Sequence, residues 1–114
     1  MLYAGLDLSR KRLEVSVLDQ HGARVRETAV APDADALRTL VARVAGQAPQ
    51  PVTAVIESMT GARFVHDQLE RWGWEVQVAD AQRARALAPL AAKTDRIDAR
   101  VLAELARRDL VPAI

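Results

Sequence analysis

Apolar and polar residues alternate along the first thirty positions, and this pattern is typical of β-strands. Apolar residues occupy every second position from Leu2 to Leu8, and the alternation recurs from Leu13 to Val17 and from Arg24 to Val30. The segment 19–22 (Asp-Gln-His-Gly) is a turn signal. The pattern therefore predicts an antiparallel meander of three strands.

Beyond Pro32 the spacing of the apolar residues changes to that of helices alternating with strands. A stripe from Leu37 to Val44 predicts a helix that Asp33 opens and the segment 46–51 ends. A strand is predicted over Val52–Glu57, followed by a helix between Gly61 and Gly73 with Val65, Leu69 and Trp72 on its apolar face. The next strand runs from Trp74 to Val78. Two helices follow: a short one that Asp80 caps and Pro89 stops, and a last one from about Thr94 to about Asp109.

The predicted order is βββαβαβα with one short extra helix, in a single domain covering residues 1–114. Three antiparallel strands followed by strand–helix alternation predict an α/β fold, a mixed five-stranded sheet flanked by helices in the ribonuclease-H-like order. In that order the first and fourth strands are neighbours, and the last helix can lie across their ends.

Composition excludes several classes of protein. The chain has no Cys, which excludes a disulfide scaffold and thiolate metal sites and fits a reducing compartment. No apolar run approaches the roughly 20 residues that cross a membrane, and the N-terminus lacks the pattern of a signal peptide. We therefore expect a cytoplasmic protein with no membrane partner.

Basic residues are concentrated towards the C-terminus, where residues 81–114 hold seven basic and four acidic side chains. Most of the basic residues are Arg, including Arg83 and Arg85, and Arg favours bidentate contacts with phosphate. Codon usage in an Ala-rich, GC-rich gene is the alternative explanation. Only 4% of residues are aromatic, which argues against base stacking on aromatic platforms as a mode of nucleic-acid binding.

Four acidic residues are the strongest candidates for chemistry. Asp7 lies inside an apolar strand, where a carboxylate is costly to bury unless it is paired or coordinates a cation. Glu57 ends the fourth strand, at the kind of position where open α/β sheets place their sites. Asp95 and Asp98 are three residues apart, on one face at the start of the last helix. In the predicted fold these four carboxylates could converge on Mg²⁺.

Each acid also has an ordinary structural interpretation. Asp7 could be a solvated residue of an edge strand, and Glu57 could begin a turn. Asp95 and Asp98 also fit a helix cap and its partner three residues on. Serines give no nucleophile, since none has a neighbouring base at a suggestive spacing, and Ser16 is predicted to be a solvated strand residue.

The residues around these acids suit an anionic substrate. Lys93, Arg96 and Arg100 flank the last pair, and Thr60 leads into a helix N-terminus that could offer backbone N–H groups to a phosphate. Residues 10–12 (Arg-Lys-Arg) follow Asp7, although they also fit a solvated hairpin turn.

Three segments resemble the N-terminal domain of DEDD-type insertion-sequence transposases, which are related to the pilin-gene invertase and in some cases guided by a bridge RNA. They are Gly5-Leu6-Asp7-Leu8-Ser9 with Leu13-Glu14-Val15, then Ile56-Glu57-Ser58-Met59-Thr60-Gly61, and Lys93-Thr94-Asp95-Arg96-Ile97-Asp98-Ala99. The resemblance covers essentially the whole chain, and the third segment is its specific part.

The resemblance implies a RuvC-like fold in which Asp7, Glu57, Asp95 and Asp98 bind Mg²⁺ or Mn²⁺ and act on DNA. It also implies a guide RNA in some members, a homo-oligomer in the full-length protein, and a second, C-terminal domain with a nucleophilic Ser. Since the chain ends at Ile114, we expect it to be one domain of such a protein.

Two alternatives stay open at this point. One is a non-catalytic remnant that serves nucleic-acid binding or dimerisation. The other is the N-terminal piece of a sugar kinase or actin-like ATPase, which also begins with Gly-x-Asp on a first strand. That class needs a Gly-rich phosphate loop after the Asp, and Ser9-Arg10-Lys11 stands there instead.

Overall fold

A computed structural model of the protein describes residues 1–92 and 97–114. These residues form five strands and four helices. In chain order they are β1 (Leu2–Leu8), β2 (Leu13–Leu18), β3 (Arg24–Val30), α1 (Ala34–Gln47), β4 (Val52–Glu57), α2 (Ala62–Arg71), β5 (Glu75–Ala79), α3 (Ala81–Ala92) and α4 (Ala99–Arg107).

The strands form one mixed sheet in the order β3-β2-β1-β4-β5. β1, β2 and β3 are antiparallel, whereas β4 is parallel to both β1 and β5. The predicted meander, the neighbouring first and fourth strands, and the α/β fold with a mixed five-stranded sheet are therefore confirmed. Parallel pairing brings the carboxyl ends of β1 and β4 to the same edge of the sheet.

One face of the sheet packs against α1 and α2 and is apolar along its whole length. Leu2, Leu6 and Leu8 of β1 point to this face, together with alternate residues of β2 and β4. The two helices cover them with their buried stripes, which include Leu37 and Leu69. This side of the molecule is an ordinary hydrophobic core, built by period-two strands and period-3.6 helices.

The other face packs against α3 and α4, and α4 comes unusually close to β1. A Cβ atom on Gly5 would lie 1.7 Å from the carbonyl oxygen of Ala99 and 2.5 Å from the amide nitrogen of Ala103. Only glycine leaves space for this approach, because any side chain would overlap the helix backbone. The contact fixes the N-terminus of α4 over the middle of β1.

The helix boundaries differ from the prediction at three places. α3 continues through Pro89 to Ala92, so Pro89 does not stop it; the missing N–H costs one helical hydrogen bond without breaking the helix. α4 begins at Ala99, and Ile97 is not helical, so the predicted start at about Thr94 is wrong. Trp72 caps the end of α2 and is 43% exposed rather than part of its apolar face.

Within the described parts of the chain, no helix has both the length and the apolar character needed to cross a membrane.

Candidate active site

Asp7 and Glu57 lie side by side at the carboxyl ends of two parallel strands. The β1–β4 register ends with Leu6 opposite Ile56, and Asp7 and Glu57 are the next residue on each strand. Because side chains alternate, both carboxylates point to the α3/α4 face, away from the Leu6 side. Both are half-buried. The structure therefore brings two of the four predicted acids, Asp7 and Glu57, to neighbouring positions.

The electrostatics of Glu57 reflect this arrangement. Burial raises the pKa of Glu57 above its ordinary value, and the charge of Asp7 raises that pKa further. Arg85 on α3 acts in the opposite direction, which shows that its guanidinium lies near the same carboxylate. Two neighbouring carboxylates that both carry charge repel each other, and a cation between them would remove this cost.

Asp98 lines the same cleft as Asp7, and it also caps a helix. It is the N-cap of α4, and its Oδ1 accepts a hydrogen bond of 2.9 Å from the backbone N–H of Val101. Its backbone is extended, so it precedes the helix instead of lying one turn inside it as predicted. Asp98 lines a cleft of about 600 Å³ together with Asp7 and Arg100.

Part of the predicted site falls outside the described residues, namely Lys93, Asp95 and Arg96. Among the residues that the structure does describe, no group of three or more His, Cys, Asp or Glu side chains is arranged to hold a metal ion. The chemistry of the two placed carboxylates still fits a hard cation, since Mg²⁺ prefers oxygen ligands and binds through one or two carboxylates. Asp98 has a second carboxylate oxygen beyond the one used by the cap.

Two residues of the cleft were missed by the sequence analysis. Glu14 lies directly opposite Asp7 in the β1–β2 ladder, and Ser16 lies opposite Gly5. Ser16 is only 2% exposed, and its Oγ has no hydrogen-bond partner among the described residues. The prediction that Ser16 is solvated is therefore wrong, because α4 covers this part of β2. Ser16 pairs with Gly5, at the point where α4 passes close to the sheet. The alternation of strand residues does not reveal this close approach, so it could not predict that Ser16 is buried.

The predicted nucleic-acid contacts occupy separate surfaces. Arg100 is exposed in the cleft beside Asp98, and Arg85 lies near Glu57. Arg83 is exposed in the first turn of α3, where its backbone N–H donates to Asp80. Thr60 is exposed in a different groove, beside Gly61 at the start of α2. Of the predicted cations that the structure describes, Arg85 and Arg100 are thus the two that lie near the carboxylates.

Comparison with known proteins assigns the family. A family model described as a transposase, DEDD_Tnp_IS110, matches residues 4–113. The match covers nearly the whole chain, which therefore belongs to this DEDD transposase family. This confirms the resemblance found in the sequence. No curated protein matches the chain.

Several solved structures align with part of this chain at low identity. A ROK hexokinase from Thermus thermophilus aligns with a TM-score of 0.49 and 17% identity, covering 78% of this chain and 38% of that protein. The ethanolamine utilization protein EutJ from Carboxydothermus hydrogenoformans gives the same score and identity, with 75% and 38% covered. A ROK family glucokinase from Streptomyces griseus gives 0.45 and 18%, with 78% and 36% covered. The chain thus spans less than two-fifths of each of these proteins.

Proposed function

We propose that this chain is the RuvC-like, metal-dependent domain of a DNA transposase and acts on DNA phosphodiesters. The observation that carries the proposal is the pair of carboxylates Asp7 and Glu57 at one edge of the sheet, in a member of a transposase family. Asp98 on the adjoining cleft, and Asp95 from the same segment, complete the proposed set of Mg²⁺ or Mn²⁺ ligands.

The four carboxylates would hold the metal ions and orient them at the edge of the sheet. A pair of bound divalent ions would supply Lewis-acid stabilisation of the attacking and leaving oxygens of a phosphodiester. The protein itself contributes cations beside the carboxylates. Arg100 lines the cleft that contains Asp7, and Arg85 lies near Glu57, so each carboxylate has a guanidinium group nearby that can bind a DNA phosphate.

The proposal divides the reaction between two domains. Metal-dependent chemistry belongs to the domain described here, whereas covalent recombination requires the Ser-bearing second domain that the resemblance implies. A guide RNA, a homo-oligomeric full-length protein and further contacts from Lys93, Arg96, Arg83 and Thr60 are part of the same proposal.

The experiment that tests the metal site is thermal unfolding of the chain with and without divalent ions. Binding to the folded state alone stabilises a protein by about 2.7 kcal/mol at 100 times Kd, so millimolar Mn²⁺ should raise the melting temperature clearly. Asp7→Asn and Glu57→Gln should each remove most of the shift. Asp35→Asn changes an exposed acid in the first turn of α1, and it should leave the shift intact.

The outcomes separate the proposal from its alternative. A melting temperature that does not respond to Mn²⁺ or Mg²⁺ would contradict the metal site and leave a non-catalytic nucleic-acid-binding or dimerisation module. Equal loss of the shift in Asp35→Asn would show that the ions act through general charge screening. A metal-dependent nicking activity lost in Asp7→Ala would add direct support for phosphodiester chemistry.

A further inference from the structure

A groove with a mixed apolar and basic lining adjoins the carboxylate edge of the sheet. Its volume is about 480 Å³, within the roughly 300–1,000 Å³ range of small-ligand pockets. The residues that line it are Leu8, Ser9, Arg10, Pro32, Met59, Thr60, Gly61 and Phe64. None of these is acidic and Arg10 carries the only charge, so the groove suits a ligand that is both apolar and negatively charged.

The groove lies on the α1/α2 side of the sheet and meets the candidate active site at the carboxyl edge of β1. Leu8 directly follows Asp7, and Met59 lies two residues after Glu57. Ser9 lines both this groove and the cleft that contains Asp7 and Asp98. The groove and the carboxylate cleft therefore adjoin each other at Ser9.

Phe64 is the feature that indicates what the groove contacts. It is the only Phe in the chain, yet it is 45% exposed, and Met59 beside it is 46% exposed. The next residue, Val65, and Leu69 bury the apolar side of α2 against the sheet without help from Phe64. An exposed aromatic face next to an arginine is the combination that stacks a nucleobase and holds its phosphate.

We propose that this groove seats one unpaired nucleobase of the DNA substrate strand against Phe64, with the adjacent phosphates at Arg10. The inference rests on the proposed function and adds a preference for single-stranded over duplex nucleic acid. A base inside a duplex is stacked on both faces and is available only after it is flipped out. The low aromatic content argues against a row of stacked bases, but a single Phe is enough for a single base.

The test compares two single strands of equal length and charge, oligothymidylate and its fully abasic counterpart, in binding to the 114-residue chain. Stacking favours the first probe only, by about fivefold or more for one base. Phe64→Ala should reduce affinity for oligothymidylate to that of the abasic strand. Phe64→Tyr should retain the difference because it retains an aromatic face, and Phe64→Leu should lose it. Binding to an oligothymidylate–oligodeoxyadenylate duplex should be unchanged in all three variants.

Trp72 provides the matched control. It lies at the opposite end of α2 and is 43% exposed, close to the value for Phe64, but it does not line the groove. Trp72→Ala should therefore keep the preference for oligothymidylate. The inference is wrong if Phe64→Ala keeps the preference, or if Trp72→Ala removes it equally.

Two further results would also overturn the inference. In the first, Phe64→Ala converts a dimer to a monomer while the preference for oligothymidylate persists. The groove would then serve self-association. The other is failure to bind any of the probes. The metal-dependent melting shift is independent of base stacking, so it shows whether the proposed function fails together with this inference or survives it.

Discussion

The same strands present different residues on the two faces of the sheet: one face is apolar, and the other carries a glycine and acidic residues. On the face covered by α1 and α2, β1 presents Leu2, Leu6 and Leu8 in an unbroken apolar row. On the face covered by α3 and α4, the same strand presents Gly5 in its middle and Asp7 near its end. The first face stabilises the fold by burying apolar area. The second face admits a helix at backbone distance and carries half-buried carboxylates at its edge.

This difference explains why the candidate site lies on only one side of the molecule. A charged group is costly to bury. The carboxylates therefore lie near Asp98, where α4 begins to cover the sheet. The other face, which α1 and α2 cover, is apolar. The close approach at Gly5 brings the cap of α4 near the strand end that carries Asp7. The packing of α4 against Gly5 therefore also positions Asp98 beside the proposed metal site.

The largest expected effect comes from filling the space between β1 and α4. Gly5→Ala places a Cβ atom 1.7 Å from the carbonyl oxygen of Ala99. Overpacking against backbone should lower the free energy of unfolding by about 3 kcal/mol or more. Denaturant unfolding measures the loss, and amide hydrogen exchange should show it concentrated in α4.

Gly46→Ala is the matched control on the other layer. Gly46 lies in α1 with no atom within 4 Å of its added Cβ, and replacing a helical glycine should stabilise the chain by about 0.5–1 kcal/mol. If Gly5→Ala were as well tolerated as Gly46→Ala, the packing of α4 on β1 described here would be wrong.

A smaller effect separates the capping role of Asp98 from its proposed metal role. Asp98→Ala removes the cap and should cost about 1 kcal/mol in the absence of metal. Asp98→Asn keeps a capping oxygen but no charge, so it should retain most of that stability and still weaken the Mn²⁺-dependent melting shift. Thermal unfolding with and without Mn²⁺ measures both effects.

Asp33 caps α1 with the same geometry, since its Oδ1 accepts from Ala36 N–H at 2.8 Å. Asp33→Ala should therefore cost as much stability as Asp98→Ala and leave the metal response unchanged. If Asp98→Asn kept the whole Mn²⁺-dependent rise in melting temperature, Asp98 would only cap α4 and would not be a metal ligand.

The strand pattern predicted the fold well because alternation is local and sets which face each residue occupies. It gave β3 and β4 with their observed bounds and brought Asp7 and Glu57 to neighbouring strands. It failed where tertiary contacts decide the outcome. The start of α4 follows from its capping by Asp98, and the burial of Ser16 follows from a helix that no strand pattern predicts.

Phe64 illustrates the same limit at the groove. The helical period correctly assigns Val65 and Leu69 to the core, but it does not indicate that Phe64 meets Leu8 and Pro32 from other elements in one groove. Sites formed between segments that are distant in sequence need the packing to be known first.

The smallest expected effect concerns the charge of Glu57 without metal. The pKa of Glu57 in the folded chain lies above its ordinary value of 4.5, because of burial and then of Asp7. The folded state therefore binds the proton more tightly, and this contribution makes stability fall as the pH rises from 4.5 through the folded pKa. Glu57→Gln removes the penalty, so it should be more stable than the natural chain at pH 7 by about 0.2–1 kcal/mol. The difference should vanish below pH 4.5.

Unfolding by urea between pH 4 and pH 8, without divalent ions, measures this difference. Glu75→Gln changes an exposed glutamate on the neighbouring strand β5 and should show no such gain at neutral pH. Adding Mn²⁺ should reverse the order, because the natural chain then gains the binding energy that Glu57→Gln forfeits. The opposite result is a Glu57→Gln variant that is less stable than the natural chain at pH 7 without metal. It would mean that neighbouring groups already stabilise the charged Glu57 carboxylate. Electrostatic repulsion would then no longer favour a cation at this edge of the sheet.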